Sequence, residues 1–438
     1  MGHAAHEATT RNLGSLYPFQ SEPGLGTDGA MVGRDLLGGT FHHDPFALYR
    51  AGAVTNPNMV VVGQIGRGKS AFVKTYLWRQ AVFGRRAWVV DPKGEYGALA
   101  RAWGVTPVAL RPGGRVRLNP LDAPAARDRH DAQDTVRMRA ELLASLSAAS
   151  LGRSLSPPER TALELAVTEV SAPASAPARS RCATAPCPTL PAVVEALLHP
   201  ATAAAATVGT DASGLAADGR NVALELRRLV AGDLRGMFDG ETSEGLRLDA
   251  SLVVLDLSAV YHSAALGVLM TCATAWLHAA LDRRHDIGPD GGATPGGGVV
   301  LVVDEAWAIL TNLAVARWLR SSWKLSRARG VANVAVVHRL SDLDASGASG
   351  SEQVGLAQGL VADSETRVVY AQPPGEVERS GAALGLSSTE ADLVPHLRRG
   401  VALWKVGTRS FLVEHRLSPH EAAIVDTDGR MGGGVTPA

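Results

Sequence analysis

The feature that most restricts what this chain can fold into is GQIGRGKS at residues 63–70, set between the apolar run 58–62 and a helical pattern over 70–83. It satisfies G-x4-G-K-[ST], in which glycines let backbone N–H groups wrap phosphate oxygens, lysine reaches the terminal phosphates and the hydroxyl reaches Mg2+. Phe72, Val73, Tyr76 and Leu77 recur at helical spacing, so the segment after the loop has one face to bury. Strand, glycine loop and helix in that order put Gly63, Gly66, Arg67, Gly68, Lys69, Ser70 and Ala71 at a nucleotide's phosphates. Lys69 is then also a catalytic cation, and ATP with Mg2+ is the implied cofactor.

Such a loop needs a sheet to stand on. Short β-branched runs at 58–62, 87–91, 251–257, 299–304, 333–337 and 366–370 alternate with turns or helical patterns, which predicts a mainly parallel, helix-covered sheet. The runs 401–406 and 410–414 read as a closing hairpin. Between residues 122 and 240 strand signals give way to helical ones at 131–149, 158–170, 190–198 and 221–231, so an all-α subdomain is expected to interrupt the sheet domain. The expected organisation is 1–121 as the first half of the sheet domain, 122–240 as the helical insert, 241–425 as the second half and 426–438 as a disordered tail. Biased composition at 171–188, 201–219 and 289–298 predicts mobile surface loops.

The run 299–303 delivers Asp304 and Glu305 to the end of a buried strand. Beside a phosphate loop this is the Walker B arrangement, with Asp304 joining Ser70 at Mg2+ and Glu305 polarising the attacking water. Adjacent acids of this kind suit a motor-type ATPase of RecA-like architecture better than a small kinase or GTPase. DPKGEY at 91–96 ends another strand, where a parallel sheet faces its ligand. Asp91 and Glu95 there either reach the nucleotide or a subunit interface, or are the solvated charges of a Pro-Gly turn; both readings stay open.

Taken together with the Asn119-Pro120-Leu121 tripeptide, Gly232 followed by Met237 to Gly240, and DEAW at 304–307, these motifs resemble the HerA/FtsK superfamily. Within it they are most similar to the energising ATPases of conjugation and type IV secretion, the VirB-four/TraC family. The likeness runs from residue 12 to about residue 425 in the family's motif order. It implies a homo-oligomer, a hexamer by analogy, that powers assembly or substrate transfer in a secretion or conjugation machine. It also implies Arg327 as an arginine finger acting on the neighbouring copy's nucleotide, with Arg329 as the second choice and arginines favouring a helix C-terminus as the plainer account. His338 falls where the family carries a glutamine sensor; an imidazole can also donate to a phosphate. Family members usually carry a sizeable N-terminal domain ahead of the phosphate loop, so docking roles assigned to that domain are not carried over.

Composition excludes rather than selects. Basic and acidic residues balance at 43 each, so no one-sided field advertises nucleic acid or membrane as an obligatory partner. Three cysteines make no disulfide framework and the start lacks the pattern of a secretory signal, so a reducing cytoplasm is expected, with membrane association only through partners. The apolar stretch 263–281 contains polar interruptions between two strand-like runs and reads as a buried crossover helix. Two other functions fit the same motifs: a DNA-translocating or coupling ATPase, which would bind DNA directly, and an ATP-binding assembly scaffold with negligible turnover.

Overall fold

The computed structural model describes residues 24–122, 129–172, 188–232, 234–243, 246, 250–263, 266–285, 298–307, 320, 323, 330–340, 355 and 359–425. The segment 12–19, Cys182 and Cys187, Arg327 and Arg329, and the tail 426–438 lie outside these residues, as does most of 171–188 and of 289–298.

Among the described residues the strands form one eleven-stranded sheet. In chain order they are β1 (Ala30–Asp35), β2 (Thr40–His43), β3 (Met59–Val62), β4 (Arg86–Asp91), β5 (Val108–Ala109), β6 (Leu252–Asp256), β7 (Val299–Val303), β8 (Val331–Val337), β9 (Thr366–Val369), β10 (Val401–Val406) and β11 (Arg409–His415). Their spatial order is β2-β1-β11-β10-β9-β3-β8-β7-β4-β6-β5. From β9 to β5 every pairing is parallel, as the alternation of strands and helices requires. From β9 to β2 every pairing is antiparallel.

The central strands are apolar throughout because both faces are covered. On β3, Met59 and Val61 enter one core with Phe72, Tyr76 and Leu77 of the helix Lys69–Gln80. Val60 and Val62 enter the other, which continues into the helices of the insert. The helix Leu266–His285, between β6 and β7, buries Leu269, Met270, Trp276 and Leu277 in that second core. It is the expected crossover, and no helix among the described residues is long and apolar enough to cross a membrane.

The insert holds the helices Arg129–Leu151, Pro157–Ser171, Leu190–Leu198, Thr202–Thr207 and Ala212–Ala231. A capping box at Ser156 and Glu159 starts the second, and the Asp211 side chain caps the last. At its base two chain segments run together: Gly113 N–H donates to Arg235 O at 2.6 Å and Leu118 N–H to Met237 O at 2.8 Å. The expectation of a loop over 201–219 is corrected here, since most of it is helical. Alanine is the best helix former, so an alanine-rich stretch with low sequence complexity still folds as helix when one face is buried.

The segment ahead of β3 is also more structured than its sequence suggests. β1 and β2 extend the sheet beyond β11, and an aromatic cluster ties them to the phosphate-loop helix: Phe41 and Phe72 lie 5.0 and 5.2 Å from Trp404. Arg79 on that helix pairs with Glu421 at 2.6 Å and donates to the carbonyls of Met31 and Val32. One arginine thereby joins the helix to the first strand and to the C-terminal helix Pro419–Val425.

Candidate functional site

At the carboxyl ends of the parallel strands a cleft of about 530 Å³ opens. Gly66, Gly68, Lys69, Ser70 and Ala71 line one side, Lys93, Glu95, Asp304, Glu305 and His338 another, and Arg399, Gly400, His415 and Leu417 a third. Ligand clefts in open α/β sheets lie at this end. The regions after β3, β4, β7 and β8 meet here because those strands are near neighbours in the sheet, and the segments flanking β10 and β11 close the third side.

The loop's shape depends on its glycines at two points. A Cβ on Gly63 would sit 2.5 Å from the Tyr370 Cβ, so no other residue fits between β3 and β9. Gly68 caps the helix Lys69–Gln80 at φ 111° with no side-chain cap bond, a conformation that suits glycine and leaves the first turn's N–H groups to other acceptors. Phosphate oxygens are such acceptors. Lys69 is 4% exposed and donates to the carbonyls of Gly63 and, at 2.9 Å, Gln64. Burial pulls its pKa down to about 8 against the attraction of Asp304 and Glu305. A buried ammonium bonded to neutral carbonyls fits an incoming phosphate anion.

The two Walker B acids differ sharply. Asp304 is buried, accepts from the Tyr96 hydroxyl at 3.2 Å, and has its pKa pushed up to about 7, first by burial and then by Glu305, Asp91 and Glu95. Such an acid gains from a nearby divalent cation, which fits the metal role beside Ser70. Glu305 is equally buried, yet hydrogen bonds from His338 and Lys93 outweigh burial and hold its pKa at about 2. His338 Nε2 lies 2.9 Å from its Oε1, Lys93 forms an ion pair with the same oxygen, and the Trp307 indole donates to Oε2. A carboxylate only accepts, so His338 carries a proton on Nε2. Glu305 has φ 52°, the one positive φ outside glycine among the described residues. That strained turn swings the chain off β7 so that Ala306 N–H reaches Val336 O on β8 at 3.0 Å.

The DPKGEY turn divides its residues between two tasks. Asp91 accepts from the N–H groups of Lys93, Gly94, Glu95 and Tyr96 and does not line the cleft. Asp91 is 1% exposed, so it ties the turn down from inside and is not the solvated charge of the plainer reading. Burial raises its pKa to about 6 against those bonds. Glu95 lines the cleft and stands 3.9 Å from the buried Lys74 ammonium. Lys93, which sequence reasoning passed over, is the residue this turn aims at Glu305. Its signal was present, as a cation two residues beyond a strand end that faces a phosphate loop. Arg67 faces its own loop, donating to Gln64 Oε1 at 3.3 Å while its carbonyl accepts from Gly400.

No family model matches the chain, and no curated protein does. Solved structures do. The structure of VirB4 of Thermoanaerobacter pseudethanolicus matches 91% of this chain and 99% of its own with a TM-score of 0.68 at 22% identity. The bacterial conjugative coupling protein TrwB matches 82% of this chain and 85% of its own with a TM-score of 0.52 at 15% identity. TrwB in complex with the non-hydrolysable ATP analogue ADPNP matches equally well, at 16% identity. The chain thus has the RecA-like P-loop fold of VirB4 and TrwB, the fold its own motifs anticipate.

Proposed function

We propose that this protein hydrolyses ATP and drives assembly or substrate transfer in a conjugation-type secretion system. The observation that carries the proposal is the pairing in one cleft of a phosphate loop with two buried acids of opposite character, one raised towards neutrality and one held ionised. Lys69 and the backbone of the loop hold phosphates, while Ser70 and Asp304 supply oxygens for Mg2+. Held by those two side chains, Mg2+ would supply positive charge against the charge that builds on the transferred group. Glu305 accepts a hydrogen bond from water and orients it. His338 and Trp307 fix the direction of that carboxylate, so His338 acts through Glu305 and serves as a positioning residue.

The secretion assignment is supported by the motif resemblance and by a fold shared with VirB4 and with TrwB, a conjugative coupling protein. Arg327 of a second copy is assigned to the transferred charge by that resemblance, which makes self-association part of the proposal. Work at the inner face of a membrane is assigned to partner proteins.

The test is phosphate release from ATP by the purified chain, with and without single- and double-stranded DNA. The proposal expects Mg2+-dependent hydrolysis that DNA changes less than about twofold. Stimulation of tenfold or more by DNA would move the assignment to a translocase.

A further inference from the structure

The contact of Lys93 with Glu305 has a property that a purely structural ion pair lacks. Glu305 keeps two further donors, His338 Nε2 and the Trp307 indole, so its carboxylate stays hydrogen-bonded if the lysine departs. Lys93 has somewhere to go. Its ammonium lines the same cleft as Gly68, Lys69 and Ser70 and is close enough to Lys69 to depress its pKa by repulsion. The backbone beneath it is fixed by the four N–H groups that Asp91 collects, while the side chain is 27% exposed against 4% for the Lys69 residue. A rigid turn thus carries a cation on a flexible four-carbon stem. Its other neighbours include the Tyr261 ring at 5.8 Å and His338 Nε2 at 3.4 Å, with the Glu95 carboxylate attracting it from farther off in the same cleft, so Glu305 is the one acid it pairs with directly.

We propose that Lys93 is the residue that distinguishes a triphosphate from a diphosphate, leaving Glu305 for the terminal phosphate of a nucleotide seated on the loop. The inference rests on the nucleotide-site reading above and deepens it. Lys69 is committed to the base of the loop, where a diphosphate would already engage it. Lys93 approaches from the Walker B side, where only a third phosphate extends. A phosphate dianion competes with one carboxylate for one ammonium, and the exchange leaves Glu305 held in direction by the His338 and Trp307 N–H groups, with the place of the departed ammonium open to water. Triphosphate recognition and release of Glu305 are then a single event.

The test is equilibrium titration of the full chain with Mg-ADPNP and with ADP, for wild type, Lys93→Gln, Lys93→Arg and Lys69→Ala. Trp307 fluorescence is followed in parallel, isolated by subtracting the signal of Trp307→Phe. Lys93→Gln should lose about tenfold in affinity for ADPNP and less than about twofold for ADP. Lys93→Arg should keep most of the preference. ADPNP but not ADP should change Trp307 emission in wild type, and Lys93→Gln should abolish that change. An unchanged ADPNP-to-ADP ratio in Lys93→Gln, with binding that still depends on Lys69, overturns this inference alone. Should Lys93→Gln fail to fold, a Lys93→Arg ratio matching wild type with no Trp307 response overturns it as well. If wild type binds neither nucleotide, or Lys69→Ala binds as well as wild type, the nucleotide-site reading falls and the inference with it.

Discussion

The helices Pro157–Ser171 and Ala212–Ala231 of the insert bury Leu163, Val167, Val222 and Leu226, begin at ordinary side-chain caps and turn charged faces outward. The cleft, at the opposite extreme, holds a buried lysine and two adjacent buried acids, the second of them a glutamate at positive φ. Local preferences and packing agree in the first region and conflict in the second. Where they agree the residues supply stability; where they conflict the fold spends stability on positioning charge. Substitutions in the two regions should therefore separate binding from folding.

Lys69→Ala should cause the largest separation. Nucleotide affinity should fall about a hundredfold or more, because a desolvated cation is lost from an anion site. The melting temperature should move by no more than about 3 °C, since the residue's buried ammonium contributes little to folding. Leu163→Ala is the mirror image. It should cost about 3 kcal/mol in urea denaturation by leaving a cavity between helices, with nucleotide affinity of the folded protein unchanged. Equal losses of binding in both variants would break the comparison.

Two pH measurements sharpen it. His43 is fully buried, bonded through Nδ1 to the Tyr76 hydroxyl at 2.8 Å, and burial lowers its pKa from 6.5 to about 4 despite the nearby Asp44 carboxylate. Above pH 6.5 neither folded nor unfolded chain holds the proton. Below it the unfolded chain takes a proton that the buried ring refuses, so stability drains away between pH 6.5 and 4. Relative to His43→Gln, wild type should lose roughly 3 kcal/mol over that window in chemical denaturation. Asp304 has the opposite sign. Its folded pKa is raised, so its charge costs stability above about pH 7 and the cost fades as pH falls towards the ordinary carboxylate range. In metal-free buffer at pH 8, Asp304→Asn should be more stable than wild type by about 1 kcal/mol, with the gap closing towards pH 5. A destabilised Asp304→Asn at pH 8 would place this acid among the stabilising residues instead.

The same contrast explains what was legible in the sequence. The phosphate loop, the central strands and the hairpin β10–β11 were legible because period, composition and turn residues agree there. The pair β1–β2 was not, since β1 is interrupted by Gly33, whose backbone runs so close to Glu414 that a Cβ would meet its carbonyl oxygen at 2.0 Å. Nor was the start of Ala212–Ala231: Gly219 looks like a breaker, yet a Cβ there would stand 3.0 Å from the Leu197 side chain and 3.3 Å from that of Ala162, so glycine lets the helices pack closely. In the site, Asp304 and Glu305 were legible as a pair but not as opposites. Their difference comes from Lys93 and His338, which only the register of β4, β7 and β8 brings to one carboxylate. Turn chemistry in DPKGEY drew the eye to Asp91 and hid the lysine that the turn presents.

The central claim is that the cleft turns over ATP with Glu305 orienting water. It is tested most directly by comparing Mg2+-dependent phosphate release from ATP by wild type and Glu305→Gln, with ADPNP affinity measured on the same samples. The account predicts a rate lower by about 10²–10⁴-fold in Glu305→Gln, with ADPNP affinity kept within about threefold. Undiminished hydrolysis by Glu305→Gln would contradict it.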